Sequence, residues 1–313
     1  MSNTAEFAQI QCGGKAMASR MELQVEHLCK SYRKKEALKD VNFKLEQGVY
    51  GLLGENGAGK STLMRILTTV DFPTSGSVMY DGKSITEMDE DYRNLVGYMP
   101  QDYSVYPSFT AADFLTYMGT LKGIPDDKLK SKISEVLEFV NLSDASNKKV
   151  RTFSGGMKRR IGIAQAILND PEILILDEPT AGLDPQERIR FSNILSNMAK
   201  EKIILLSTHI VSDIEAIANQ LIVIREGEIT QIGEINQMVR EVAGKVWEVT
   251  ASQDMMNILN AERAVIHFKQ MGKDFQVRFV GDPYPNIDCR SAMPTLEDYY
   301  VFANEKRKGS EMI

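Results

Sequence analysis

Polar and apolar residues alternate through Glu22-Leu23-Gln24-Val25-Glu26-His27-Leu28, the period of a half-buried strand. Ser31-Tyr32-Arg33-Lys34-Lys35 reads as a turn into a second strand over 37–45. Val49-Tyr50-Gly51-Leu52-Leu53 is a short continuous apolar run, a buried strand, and a helix is expected from Ser61 to about residue 69. Pro73-Thr74-Ser75-Gly76 predicts a turn, Ser77-Val78-Met79-Tyr80 a strand closed by the hairpin signal Asp81-Gly82, and 94–99 a further strand ending at Pro100-Gln101. Between 102 and 170 the spacing becomes helical, over 111–121, 127–140 and 156–168, with breaks at Pro107, Pro125 and Asn141. Strands over 173–176, 202–207 and 221–225 then alternate with helices over 185–199 and 210–219. Such alternation predicts a parallel sheet covered on both faces, with a helical insert between its halves.

Residues 241–313 carry a weaker pattern. Lys245-Val246-Trp247-Glu248-Val249 reads as a strand, and 265–270 with 275–280 as a hairpin around Met271-Gly272-Lys273-Asp274. A short helix over 295–302 would be capped by Thr295. The expected organisation is a polar tail or leader over 1–20, a main α/β domain over 21–240 with its helical subdomain at about 102–170, and a small α+β extension over 241–313. Met21 is an alternative start.

Bulk composition narrows the classes. The hydrophobic share is 43% and the charged share 26%, ordinary for a globular protein, and the net charge of −6 gives no global positive field for nucleic acid. Cys12, Cys29 and Cys289 are widely spaced and odd in number, which predicts reduced thiols rather than a disulfide frame or metal site. No apolar run approaches the ~20 residues of a membrane span, so any membrane work would go through a partner.

The candidate chemistry begins at Gly54-Glu55-Asn56-Gly57-Ala58-Gly59-Lys60-Ser61-Thr62, which fits G-x-x-x-x-G-K-[ST] between a strand and a helix. Glycines let the backbone approach phosphate oxygens, and the amides and helix N-terminus surround an anion. Lys60 is expected at the β/γ-phosphates and the Ser61 hydroxyl on Mg²⁺. Ile173-Leu174-Ile175-Leu176-Asp177-Glu178 is a buried strand with two acids at its carboxyl end, where ligands sit. Asp177 is placed to face Mg²⁺, directly or through water, and Glu178 to polarise a water attacking the γ-phosphate. The other reading is that the two acids simply solvate the turn before Pro179.

Thr152-Phe153-Ser154-Gly155-Gly156-Met157 lies 19 residues before that strand and resembles the signature sequence of ABC transporter ATP-binding subunits. The resemblance continues through Gln101, Ala181-Gly182-Leu183-Asp184 and Ser207-Thr208-His209, and covers about residues 21–233. It implies a P-loop mixed α/β sheet with N-terminal antiparallel strands and a helical insert. It also implies two cassettes closing head to tail around two ATP molecules. Ser154 would cap the helix beginning near Gly155, and with the Gly155 and Gly156 amides would serve the γ-phosphate held by the partner's phosphate loop. His209 would contact the γ-phosphate, Gln101 would touch Mg²⁺ or the attacking water, Asp184 would lie at the dimer seam, and Tyr32 would stack on adenine. Phe153 and Met157 depart from the commoner Leu and Gln.

Tyr103, Val105, Tyr106, Pro107 and Phe109 stand where the family meets a coupling helix of its membrane subunit, or else form the insert's own core. Lys158-Arg159-Arg160 reads as a solvated helix face. The resemblance implies an ATPase with ATP and Mg²⁺ as cofactors. Its expected partners are a transmembrane permease and a second cassette in a homodimer, with no nucleic acid. Its expected location is cytoplasmic, at the inner face of the membrane through the permease. The tail at Leu296-Glu297-Asp298-Tyr299 resembles exporter subunits. A soluble ABC ATPase free of a permease is the alternative. Against it, translation-type members usually carry two cassettes and repair-type members a long inserted coiled coil. An ATP-binding regulator without hydrolysis would be favoured by loss of Lys60, Glu178 or His209, and all three are present.

Overall fold

The computed structural model describes residues 21–310 apart from residues 34, 104 and 286. The expected tail over 1–20, with Cys12, and Lys34 of the predicted turn lie outside the described residues.

The chain opens with β1 (Leu23–Tyr32) and β2 (Lys35–Leu45), then β3 (Gly48–Leu53), α1 (Lys60–Leu67), β4 (Ser75–Tyr80) and β5 (Lys83–Ser84). Strands β2-β1-β4-β5 form an antiparallel sheet. Tyr80 pairs with Lys83 across Asp81 (φ 46°) and Gly82 (φ 76°). Positive φ at both central residues is the geometry of a two-residue hairpin, which is why Asp-Gly stands there. The two neighbouring turns differ from expectation. Tyr32 and Lys35 already belong to paired strands, and Ser75 and Gly76 already belong to β4.

Next come α2 (Ile85–Met88), α3 (Glu90–Leu95), β6 (Val96–Met99), α4 (Ala111–Leu121), α5 (Asp126–Phe139), α6 (Gly155–Ile167), β7 (Ile173–Asp177), α7 (Pro185–Met198), β8 (Ile203–Thr208), α8 (Val211–Ile217), β9 (Gln220–Arg225), β10 (Glu228–Glu234) and α9 (Ile235–Arg240). The central sheet runs β10-β9-β3-β8-β7-β6, parallel except for β10 at one edge. All residues of β7 and β8 are buried, so their sequences read as unbroken apolar runs. Side chains still alternate between faces. Leu174, Leu176, Ile204 and Leu206 join the core under α4–α8, while Ile173, Ile175, Ile203 and Leu205 join the core shared with α1 and the N-terminal sheet.

The chain ends in β11 (Val246–Ala251), α10 (Gln253–Glu262), β12 (Ala264–Met271), β13 (Asp274–Val280), β14 (Arg290–Ser291) and α11 (Leu296–Ser310). Its antiparallel sheet, β12-β13-β11-β14, has a small core of its own around Val249, Leu259, Val277 and Phe279. The α/β architecture with an antiparallel N-terminal sheet, a helical insert and an α+β extension is therefore the one expected. The sequence pattern does not reveal α2, α3, α9, α10 or β10. Three of these span six residues or fewer, too short for a full apolar period. No described helix is long and apolar enough to cross a membrane.

Candidate active site

The phosphate loop links β3 to α1. Its tight path needs glycine at two places. A Cβ on Gly54 would lie 2.3 Å from the Ile224 carbonyl oxygen, and one on Gly59 (φ 112°) 2.7 Å from that of Ala37. Gly59 is also the N-terminal cap residue of α1, so the helix amides open onto the loop. Lys60 folds back across it, its Nζ donating to the carbonyls of Gly54 (2.5 Å) and Glu55 (3.2 Å). Burial lowers the Lys60 pKa, and the carboxylates of Glu178 and Asp177 oppose that shift.

Parallel pairing of β7 with β8 sets Asp177 against Ser207 at the carboxyl ends of both strands. The buried Ser207 hydroxyl donates to Asp177 Oδ1 (2.5 Å) and accepts from the Glu178 amide (3.1 Å). Glu178 sits at φ 50°, a conformation an L side chain adopts only when its surroundings hold it. Its carboxylate, on a residue only 5% exposed, faces His209 Nδ1 at 3.0 and 3.1 Å. His209 is itself exposed.

A cavity of about 400 Å³ gathers most of the expected residues: Tyr32, Glu55, Asn56, Gly57, Gly59, Lys60, Ser61, Thr62, Gln101, Asp177 and Glu178. Lys35 and Ala37 line it as well, without a motif to announce them. Gly54 and Ala58 form the loop's buried back, and His209 joins the group through Glu178. Ser154, Gly155 and Gly156 do not line this cavity. The Ser154 hydroxyl accepts from the Met157 amide (3.2 Å) and caps α6, as expected, and its outer face is exposed. Asp184 caps α7 by accepting from the Glu187 amide (2.9 Å) and is exposed too. Gly155 instead borders a separate hollow of about 320 Å³ whose other walls include Gln101, Arg159 and Ala181.

Tyr32 donates its hydroxyl to Asp71, and Lys30 Nζ lies 2.7 Å from the same carboxylate and 4.8 Å above the Tyr32 ring centre. Burial raises the Asp71 pKa, but hydrogen bonds from Lys30 and Tyr32 outweigh it and bring it down to about 2. The basic run departs from the solvated face expected of it. Arg159 Nη1 donates to the Gln101 carbonyl (3.0 Å), and Arg160 donates to those of Val140 and Asn141 (3.3 and 2.8 Å) and pairs with Glu187 (3.1 Å). Planar guanidinium groups with several donors can bridge carbonyls on different elements, a use that charge counting does not reveal.

Three comparisons place this geometry. The family profile described as ABC transporter matches residues 38–181. The uncharacterized ABC transporter ATP-binding protein YxlF of Bacillus subtilis (strain 168) is 39% identical over 234 residues, 74% of this chain and 78% of that protein. The chain belongs to the ABC transporter family. It is an ATP-binding subunit of that family, with an ATPase cassette. The Nod factor export ATP-binding protein I of Ralstonia nicotianae is 34% identical over 233 residues, covering 74% of this chain and 73% of that protein. Among solved structures, an ATP-binding subunit of an ABC transporter superposes with a TM-score of 0.63 at 28% identity, covering 70% of this chain and 92% of that one. Within the ABC cassette, the two departures in the signature are apolar and face inward. Phe153 is buried in the main core and Met157 packs against it.

Proposed function

We propose that the chain is the energy-coupling subunit of an ABC exporter, hydrolysing MgATP between two cassettes closed head to tail. One observation carries the reading. The cavity that collects Lys60, Asp177 and Glu178 leaves the capped turn at Ser154, Gly155 and Gly156, exposed at its first two residues, outside it. A helix start with free amides is an anion site. Within one chain it does not line the cavity, and a second cassette would supply it. The export direction rests on the similarity to the Nod factor export protein. The permease would dock at the half-exposed aromatic group of Tyr106, Phe109 and Tyr117, whose rings lie 4.9–6.2 Å apart. Tyr103, Val105 and Phe109 meanwhile pack on the main core, the part of this stretch that serves the insert's own packing.

Loop amides and Lys60 would hold the β- and γ-phosphates, with Tyr32 against the adenine. Ser61, Gln101 and Asp177 line one cavity, and their hydroxyl, amide and carboxylate oxygens, hard donors that suit Mg²⁺, would hold it there. Bound Mg²⁺ supplies charge neutralisation at the β- and γ-phosphate oxygens. Glu178 would take the proton of the attacking water, and His209, its Nδ1 turned to Glu178, keeps Nε2 for the γ-phosphate. Product release would part the cassettes and reset the permease.

Glu178→Gln tests this. The variant is expected to bind ATP with unchanged affinity, to lose on the order of 100-fold or more in kcat, and to accumulate an ATP-dependent dimer in size-exclusion chromatography. Turnover at the wild-type rate would remove Glu178 from the role of base. A variant that remains monomeric with ATP would count against the two-cassette site.

A further inference from the structure

Asp213 is buried at 6% exposure in the first turn of α8, a helix that begins two residues after His209. Both of its carboxylate oxygens are engaged by other elements. Oδ2 accepts from the Thr180 hydroxyl at 2.6 Å, and Oδ1 from Arg188 Nη1 on α7 at 2.9 Å. Thr180 is itself 1% exposed and lies two residues beyond Glu178. Arg188 also reaches the Leu183 carbonyl through Nε, at 3.3 Å. The loop from Glu178 to Asp184 is thus tied at two points to the helix that His209 leads into.

The tie has work to do. Glu178 holds a left-handed backbone (φ 50°), which persists only where neighbouring contacts over-determine it. The Ser207 contacts fix its amide from the β8 side, but nothing in them fixes the loop beyond. An acid in the first turn of a helix is ordinarily a solvated partner of the helix dipole. One that is buried, with each oxygen committed to a different element, acts as a bracket.

We propose that Asp213 is a positioning residue for ATP hydrolysis. Through Thr180 and Arg188 it fixes the loop carrying Glu178 against the helix behind His209, and so sets the 3.0 Å spacing of that pair. The inference rests on the reading of Glu178 and His209 as the hydrolytic pair. Neither Asp213 nor Thr180 lines the nucleotide cavity, so their effect would run through geometry alone.

Full-length Thr180→Val, Thr180→Ser and Asp213→Asn, each alone and the first also in a His209→Ala background, carry the test. Thr180→Val removes one hydroxyl without changing shape, so it remains informative even where Asp213→Asn unfolds; circular dichroism melting checks both. Thr180→Val and Asp213→Asn are expected to lower kcat about tenfold or more, since small misplacements of reacting groups cost that much, while KM stays within about twofold. Thr180→Ser restores the rate. With His209→Ala in place, Thr180→Val adds less than about twofold in single-turnover hydrolysis, because coupled residues are non-additive. Unchanged kcat in a folded Thr180→Val protein, or losses that multiply in the double variant, overturns the inference. Wild-type turnover in both His209→Ala and Glu178→Gln instead overturns the underlying reading, and with it the proposal.

Discussion

The Lys30 ammonium lies above one face of the Tyr32 ring and Asp71 holds its hydroxyl, and in the proposed site the opposite face would take the base. Stacking on an aromatic ring contributes about 1–3 kcal/mol per base, so Tyr32→Ala is expected to raise the Kd for ATP roughly five- to a hundredfold. Tyr32→Phe keeps the ring and should bind within a fewfold of wild type. Equilibrium binding of a fluorescent ATP analogue reads both, and equal losses would show that the hydroxyl, not the face, matters. The pH response has a definite sign. The native Asp71 pKa of about 2 lies below its ordinary 3.8. Its support of the clamp is therefore complete above about pH 4 and lost as pH falls through 2. ATP affinity should not change through this group between pH 5 and 8. Tyr32 was legible as an aromatic near a turn in a recognised cassette. Lys30 and Asp71 were not, because what joins them is a contact across 41 residues of chain. For Ser207 the Ser207-Thr208-His209 motif marked the position but not the role, because its buried hydroxyl meets Asp177 across 30 residues of chain.

Elements with a full apolar period were readable to within a residue or two: 111–121 for α4, 127–140 for α5 and 173–176 for β7. In α4 the bounds follow from local chemistry, since Thr110 and Asp113 form a reciprocal cap at its start. What sequence periodicity cannot show is how an element is fitted to a neighbour. On α6, a Cβ at Gly162 would lie 2.6 Å from Cζ of Tyr103, whose hydroxyl donates to the Lys158 carbonyl. Glycine in mid-helix is disfavoured by about 1 kcal/mol relative to alanine, so this one is there for the tyrosine. Burial pushes the Tyr103 pKa up to about 12, in keeping with a ring seated in the fold. Gly162→Ala would raise helix propensity yet displace that ring, and overpacking of this kind costs about 1–3 kcal/mol. We expect a net loss of stability in urea unfolding. In a Tyr103→Ala background the same change should become stabilising, and a stabilising effect in the wild-type background would show that the ring can move aside freely.

At the scale of the molecule, residues 241–313 have their own small core yet lean on the cassette. Leu296 and Tyr299 of α11 are buried in the main core, and the Leu296 amide donates to Glu215 of α8 at 3.1 Å. The joint is organised by Asp298, which is fully buried. It accepts from Arg278 Nε and Nη2 on β13 (3.0 and 2.7 Å) and from the amide and hydroxyl of Thr295 (2.7 and 2.9 Å). Arg278 further donates to Glu248 (2.9 Å) and the Met293 carbonyl (2.6 Å). Removing one partner of a buried ion pair costs about 3–5 kcal/mol, because the other is left desolvated. Asp298→Ala is therefore expected to open α11 and the sheet behind it. Limited proteolysis would cut within 241–313 well before the cassette, and thermal unfolding would split into two transitions. No described residue beyond 240 lines the nucleotide cavity, so the Kd for ATP should stay at the wild-type value. The two readouts separate the possibilities. Early cleavage with intact ATP binding means that 241–313 folds as a unit docked on the cassette. Loss of ATP binding together with a single lowered transition means that the extension and the cassette unfold as one body, and that α11 supports the nucleotide site through α8.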